Sequence, residues 1–438
     1  MKTNTPLKSN LKTHEGAPAS TISPVKQLRR TVMACMLWED TFYEDGASVA
    51  DRIAGLVPKV EPTSVAAIAI DAREKMKLRH APLLLVREMA RHNTHKALVA
   101  DTLERVIQRA DELSEFVSIY WKDGKQPLAA SVKKGLARAF NKFDEYALAK
   151  YNRDGAVKLR DVLFLCHAKA DTPERDALYK RLINGELKTP DTWEVELSKG
   201  RGENKRASWE RLLDENKLGA LALLRNLRNM REEGVDESKI FAALERANVE
   251  RVLPFRFIAA ARHAPQWEHK IEPIMLKSIE GREKFEGKTV LLVDVSGSMI
   301  GSISSKSDLT RLDAACGLAV LAREMCGDIA IHVFHNEINL VPPRRGFALR
   351  DAITAHFGGA TYLGAAIKWL HNNETFDRLI VLTDEQSHDK VPQPLKGKPS
   401  YMINVASSRN GVGYGAWRHI DGWSEAVFDY IREAERAD

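Results

Sequence analysis

Thr289-Val290-Leu291-Leu292-Val293-Asp294-Val295-Ser296-Gly297-Ser298 joins an apolar run to a cluster of oxygen-bearing side chains. The apolar run reads as a buried β-strand. Asp294, Ser296 and Ser298 then follow at spacing i, i+2, i+4. On an extended loop at a strand end, that spacing points three side chains the same way. One carboxylate and two hydroxyls suit a hard cation such as Mg²⁺, which keeps waters and leaves coordination positions open. Such a site takes something that brings its own oxygen ligand.

Three hard ligands do not complete a site, and two further loops supply candidates. Gly358-Gly359-Ala360-Thr361 places a hydroxyl on a glycine-rich loop before the apolar helix Leu363–Leu370. Leu379-Ile380-Val381-Leu382-Thr383-Asp384 is a second buried strand ending in a carboxylate. In an open parallel sheet, loops at the carboxyl ends of neighbouring strands converge on one crevice. Asp294, Ser296 and Ser298, then Thr361, then Asp384, resemble the metal-ion-dependent adhesion site of von Willebrand factor A (vWA) domains. The competing account is a tight turn whose hydroxyls cap the next helix.

From Gly287 onward, strands alternate with amphipathic helices. The expected elements are strand Thr289–Val293, helix Leu312–Met325, strand Ile329–Phe334, helix Leu363–Leu370, strands Leu379–Leu382 and Tyr401–Val405, and helix Ser424–Glu433. This alternation predicts a doubly wound, Rossmann-like parallel sheet with helices on both faces over 287–438, which the resemblance above makes a vWA-like domain.

Before that boundary the pattern is helical. Apolar residues recur at helical spacing in Val25–Leu37, Val49–Val57, Val65–Met76, Ala81–Ala90, Ala97–Ile107, Val132–Phe140, Leu159–Leu165, Ala207–Leu213, Leu218–Leu227 and Ile240–Val249. Pro58, Pro62, Pro82, Pro127, Pro173, Pro190 and Pro254 punctuate them. Many short helices with brief connections predict stacked helical pairs, an irregular α-solenoid over 24–282 without a clean internal repeat. Residues 184–206 are polar and read as an exposed loop. Residues 1–23 are polar, have no apolar core of a secretory signal, and read as a flexible arm.

The 438 residues carry 66 Lys+Arg against 60 Asp+Glu, a net +6 that is unevenly placed. Gly287–Asp438 holds 16 basic and 18 acidic residues, and the remainder 50 and 42. Trp121–Lys169 alone holds 11 basic and 5 acidic residues. A local excess of this kind suits an anionic partner, phosphate backbones above all, but on charge alone a solvated helix face is the better reading. No apolar run approaches the ~18 residues needed to span a membrane, and the chain is expected in the cytoplasm. Cys35, Cys166, Cys316 and Cys326 are scattered in apolar surroundings, as buried free thiols in a reducing compartment would be.

The helical half carries local sequence of a known kind. Thr13-His14-Glu15-Gly16-Ala17-Pro18, Gln27-Leu28-Arg29-Arg30, and Leu37 through Gly46 (LWEDTFYEDG) resemble the opening of bacterial TROVE-domain proteins, relatives of the Ro autoantigen. Leu78 through Glu88 (LRHAPLLLVRE), Lys150 through Gly155 (KYNRDG) and Leu159 through Lys169 (LRDVLFLCHAK) fit the same family. The resemblance implies a ring of HEAT-like helical pairs closed by the vWA domain. It also implies binding of small noncoding Y-like RNA and of single-stranded 3′ ends of structured or misfolded RNA, without catalysis, alongside an exoribonuclease or another protein. The family's RNA-contacting lysine and histidine match Lys150 and His167 by motif.

Lys150, Arg153, Arg160, His167 and Lys169 all fall in the basic segment found by counting charge. His167 would hydrogen-bond or stack on a base, since unpaired bases are read by edges and faces. Lys133, Lys134 and Arg138 form a further basic cluster on one helix and are phosphate-contact candidates. Tyr120-Trp121 suits burial in a helix seam better than a stacking platform. His92 and His95 have no acidic or cysteine partner nearby to make a zinc site. Gly281–Thr289 has the wrong spacing for a phosphate loop, and Gly411–Gly415 is too short a signal for a dinucleotide site.

The sequence thus predicts an RNA-binding scaffold with a divalent cation site. A protein-binding adaptor whose cation grips an acidic partner residue is the alternative. Metal-assisted phosphodiester hydrolysis is weakest, because the motif offers one cation and no evident general base.

Overall fold

The Thr289–Val293 run is the middle of a ten-residue strand, β1 (Phe285–Asp294), buried throughout from Thr289 to Asp294. Parallel neighbours on both sides leave it no solvent face, hence its unbroken apolar sequence. Those neighbours are β2 (Cys326–Phe334) and β4 (Arg378–Thr383). The antiparallel β3 (Ile338–Leu340) lies outside β2, and the parallel β5 (Ser400–Asn404) and β6 (Arg418–Asp421) continue beyond β4. The order β3-β2-β1-β4-β5-β6 reverses direction between β1 and β4. That reversal is the topological switch point at which doubly wound sheets build their sites.

The computed structural model describes residues 12–13, 16, 18, 23–33, 46–76, 78–152, 154–189, 193, 195, 205–250, 252–303, 308–406, 411–412, 415–422, 427–428, 431–432 and 435. Several sequence expectations lie outside these residues. They are Cys35, Arg153, the LWEDTFYEDG motif apart from Gly46, most of the 1–23 arm, much of the 184–206 loop, part of Gly411–Gly415 and most of the Ser424–Glu433 helix.

The chain divides into two compact units. One comprises Pro24–Val32 and Ala47–Arg201. Its helices are α1 (Pro24–Met33), α2 (Gly46–Leu56), α3 (Pro62–Glu74), α4 (His80–Arg91), α5 (Lys96–Val106), α6 (Asp111–Tyr120), α7 (Ala130–Phe140), α8 (Glu145–Tyr151), α9 (Leu159–Cys166) and α10 (Pro173–Asn184). Helix α5 packs on α3 and α7, α7 packs on α9, and α4 packs on α6. Contacts between alternate helices make two layers, the stacking expected of helical repeats. Pro62 and Pro173 occupy first-turn positions, where the missing N–H costs nothing. A Cβ on Gly135 of α7 would lie 2.9 Å from the Ala100 carbonyl oxygen, so glycine lets α5 and α7 approach. The buried Arg73 guanidinium binds Glu112 at 2.6 Å and the Val106 carbonyl at 2.9 Å, clamping α3 to the start of α6.

The other unit comprises Met1–Ser23, Met33–Gly46 and Gly202–Asp438. It contains the sheet and α11 (Lys205–Asp214), α12 (Ala220–Glu232), α13 (Glu237–Arg246), α14 (Pro254–His263), α15 (Glu268–Lys277), α16 (Arg311–Met325), α17 (Gly346–Thr354) and α18 (Leu363–Asn373). Secondary structure changes near 282, whereas the packing unit extends back to 202. The reason is that α12 stacks on α14 and α14 stacks on α16, so the last helical pairs are built onto the sheet's own helix layer. A Cβ on Gly317 of α16 would meet the Phe255 backbone nitrogen at 2.9 Å. Glu272 accepts the Phe347 N–H at 2.7 Å, and Arg350 pairs with Glu268 at 2.7 Å. Within the expected arm, Thr13 is buried, and its hydroxyl donates to the Ser387 carbonyl at 2.7 Å.

Candidate metal centre and basic surface

Asp294 ends β1 at the switch point with a fully buried carboxylate. Its Oδ1 accepts the Ser296 amide at 2.9 Å and the Ser296 hydroxyl at 2.6 Å, and its Oδ2 accepts the Thr383 hydroxyl at 2.7 Å. The loop then makes one 3₁₀ turn, Gly297–Ile300. This brings the Ser298 hydroxyl 3.4 Å from that of Ser296 and 2.6 Å from Oδ2 of Asp384, to which it donates. Asp384 follows β4 and is also fully buried. The structure therefore brings Asp294, Ser296, Ser298 and Asp384 into one hydrogen-bonded cluster at the ends of β1 and β4.

The glycine-rich loop joins them. Gly358 N donates to the Val295 carbonyl at 2.9 Å, and Gly297 N donates to the Gly359 carbonyl at 3.1 Å. Gly358 and Gly359 have φ of 132° and 81°, which side chains with a Cβ rarely adopt. Thr361 is buried, and its backbone is fixed on both sides by His388. Among the described residues the Thr361 hydroxyl takes no side-chain hydrogen bond, so it is available to a ligand.

Burial pushes the Asp294 carboxyl up to about 7, and the neighbouring Asp384 charge adds to this. Hydrogen bonds from Ser296 and Thr383 pull the other way. Two buried carboxyls in this setting call for positive charge. Two carboxylates with three hydroxyls form a hard-oxygen donor set of the kind that suits Mg²⁺. Among the described residues no group of three His, Cys, Asp or Glu is placed to hold a metal, so any cation here depends on the hydroxyls.

Sequence reasoning missed Thr383, which orients Asp294, and Arg311, whose Nη1 lies 3.6 Å from Asp384 Oδ2. It also missed the run Thr383-Asp384-Glu385-Gln386-Ser387, which is entirely buried despite its polarity. Five polar residues directly after an apolar strand were the available signal. Glu385 pairs with His419 of β6 and sits at φ 60°.

The basic-segment residues belong to the other unit. Lys134, Arg160, His167 and Lys169 are exposed, whereas Lys133, Arg138 and Lys150 are half-buried. Arg138 is engaged by Asp101 at 2.5 Å and by Glu104 at 3.6 Å. Arg160 lies 3.8 Å from Asp161. Lys150 Nζ stands 6.0 Å above the Tyr146 ring and 5.7 Å above the Tyr151 ring. His167 caps the end of α9 in the left-handed region, at φ 54°. Two aromatics not singled out from the sequence are strongly exposed here, Tyr146 at 53% and Phe164 at 57%. Tyr120 is buried, and Trp121 donates its indole N–H to the Gln126 carbonyl at 2.7 Å. His95 is buried against the Val60 carbonyl at 3.1 Å.

A helical-repeat array leading into a doubly wound sheet, with an acid–hydroxyl cluster at the switch point, defines the class. A family model described as the TROVE domain matches residues 180–283. The fold superposes on the crystal structure of the Deinococcus radiodurans RO (RSR) protein with a TM-score of 0.60. That match has 18% sequence identity and covers 95% of this chain and 100% of that one. Over 80 residues the chain is 42% identical to telomerase protein component 1 of Mus musculus and 41% identical to that of Rattus norvegicus. Those 80 residues are 17% of this chain, and the match spans only 3% of either relative. Residues 180–283 thus match the TROVE domain model, and the chain as a whole has the fold of the RO (RSR) protein.

Proposed function

We propose that this protein is a Ro-like RNA-binding scaffold. The observation that carries the reading is the exposure of Lys134, Arg160, His167 and Lys169 on a segment that also turns Tyr146 and Phe164 to solvent. Cations beside exposed rings suit unpaired nucleotides, because phosphates meet charge while bases stack on π-faces. The TROVE match and the Ro fold support the same direction. In this reading the RNA is Y-like noncoding RNA or the single-stranded 3′ end of a structured or misfolded RNA. The chain holds it for an exoribonuclease or another protein in the cytoplasm and does not cut it. Purified protein should carry nucleic acid, read as excess absorbance at 260 nm that high salt removes. Protein free of nucleic acid at low salt, with no affinity for a tailed RNA, overturns the reading.

At the switch point, Asp294, Ser296 and Ser298, with Thr361 and Asp384 directly or through water, would hold Mg²⁺ or a similar divalent cation. The cation would supply a Lewis-acidic grip on an oxygen ligand. Asp294→Ala should abolish Mn²⁺ binding by calorimetry while helical content is kept. Unchanged affinity in that variant overturns the metal reading.

A second reading, a protein-binding adaptor, is favoured by the rim of this site. Ile300, Phe357 and Tyr362 are all exposed, and each lies on a loop that carries or borders a candidate ligand. Exposed aromatic and aliphatic side chains gathered on neighbouring loops are the kind of surface a protein partner buries. Replacing all three with serine should weaken a protein partner and leave RNA affinity unchanged.

A further inference from the structure

We propose that Phe164 is a base-stacking position for single-stranded RNA, flanked by a phosphate contact at Arg160, an inference that rests on the RNA reading above. Arg160, Phe164 and His167 are four and three residues apart, and all are exposed, Phe164 at 57%. Residues at those intervals share one stripe of a helix. The opposite stripe of α9, made of Leu159, Val162, Leu163 and Cys166, is buried, and α9 packs on α6 and α7. The helix's own register therefore keeps the phenyl ring out of that core. The end of α9 is closed twice, by the His167 amide on the Phe164 carbonyl and the Ala168 amide on the Leu163 carbonyl, each at 3.3 Å. That closure fixes the backbone of His167 less than one turn beyond the ring.

A lone exposed ring is ordinary on a protein surface. Its setting is what points to a nucleotide. Each acid adjoining the stripe in sequence has work of its own. Asp154 pairs with Lys158 at 2.6 Å, Asp161 accepts the Lys158 amide at 2.9 Å at the start of α9, and Asp171 lies 3.9 Å from Arg175. Arg160 Nε stands 3.8 Å from Asp161 Oδ1, beyond hydrogen-bond length, and both side chains are about half exposed. Such a pair is worth little, so a phosphate displaces it at small cost. One ring among polar groups is too small for the apolar centre of a protein interface, which gathers several such side chains. A nucleotide asks for one flat face and one positive charge nearby, and four residues of helix separate the two by about 6 Å along the axis. Stacking accepts any base, because every base has a π-face, and a base paired inside a duplex does not offer one.

The test is fluorescence anisotropy of the full chain with a labelled RNA hairpin that carries a single-stranded 3′ tail. Phe164→Ala should weaken binding by about fivefold or more, the loss of one stacked base. Phe164→Leu should weaken it nearly as much, since leucine keeps apolar bulk without a flat face. Phe164→Trp should bind at least as tightly as the parent protein. On the same hairpin with an abasic tail, which keeps every phosphate, the parent and Phe164→Ala should differ by less than about twofold. Arg160→Gln should flatten the salt slope by about 0.7, and the Phe164 variants should leave it unchanged. Phe164→Ala or Phe164→Leu binding the normal tail as the parent does overturns the stacking, leaves the RNA reading standing and turns attention to a protein partner for the ring. A full Phe164→Ala loss on the abasic tail also overturns it, because the ring then only props the helix. Where the alanine variant does not fold, the contrast between leucine and tryptophan decides. If the parent protein binds no tailed RNA, the RNA reading itself fails, and the stacking with it.

Discussion

At the scale of single residues, Thr383 does two jobs with one hydroxyl. It donates to Asp294 Oδ2 at 2.7 Å and accepts the Glu385 amide at 3.0 Å. Partners of this kind orient metal ligands, and losing one typically lowers metal affinity by about 10–100-fold. Thr383→Val keeps the shape and removes the hydroxyl, so Mn²⁺ affinity should fall by about tenfold while the melting temperature hardly moves. An unchanged affinity would show that Ser296 alone fixes the carboxylate. His167 presents a different trade. A non-glycine residue in the left-handed region stores about 1 kcal/mol or more of strain, and here a histidine occupies a helix-end position that glycine favours. His167→Gly should therefore raise stability to denaturant while weakening RNA with a single-stranded 3′ tail; blunt duplex should be indifferent. A drop in stability, or equal loss for both RNAs, would make His167 a plain helix stop. Cys166 was readable as a buried thiol, and burial pushes it up to about 11. Little thiolate then exists at pH 8, so iodoacetamide should label Cys166 about a hundredfold faster after unfolding than before, measured by mass spectrometry.

At the scale of elements, Gly317 is a point of close approach in the α14–α16 contact. A side chain there drives a Cβ to 2.9 Å from the Phe255 backbone, which has no flexible end to yield. Overpacking of this kind costs about 1–3 kcal/mol, so Gly317→Val should shift the urea midpoint down by that equivalent. A neutral outcome would mean that the helix layers slide apart without penalty. Such contacts mark where the sequence stops being legible. Central strands β1 and β4 were plain, because two-sided burial forces an unbroken apolar run. Most of the helices were plain too, to within a few residues at their ends, but α6, α8, α10, α14 and α15 were not read. Strand β3 was missed because three residues carry no period, and β6 because Arg418-His419-Ile420-Asp421 is mostly polar. Helix α17 was missed because it begins on Gly346, a poor helix residue, and is only nine residues long. In the candidate site, the ligand-type residues could be read from spacing on strand ends. Arg311 and Thr383 could not, because their part in it depends on a turn and a register that no local pattern encodes.

At the scale of the whole molecule, charge placement makes its own prediction. If the Trp121–Lys169 segment carries RNA, log affinity should fall linearly with log salt, because each neutralised phosphate releases counterions. Replacing Lys133, Lys134 and Arg138 together with glutamine should flatten that slope by about 2 if all three touch phosphates, at ~0.7 per contact on a single strand. Arg138 already holds Asp101 and Glu104, so a smaller change assigns it to the helix rather than to RNA. A slope near zero in the parent protein would favour the adaptor reading. The hydrogen bond from Thr13 to Ser387 closes a loop of 374 residues within one unit, and the other unit is inserted inside that loop. On a ribosome, chain elongates at ~5–20 residues per second, so Thr13 waits roughly 20–75 s for its partner to be made. The inserted helical unit is complete long before then. Between Arg201 and Phe285 the nascent chain therefore carries one finished unit and one whose sheet has not begun, and that sheet is complete only at Asp421, so chaperones would meet the second unit during that interval.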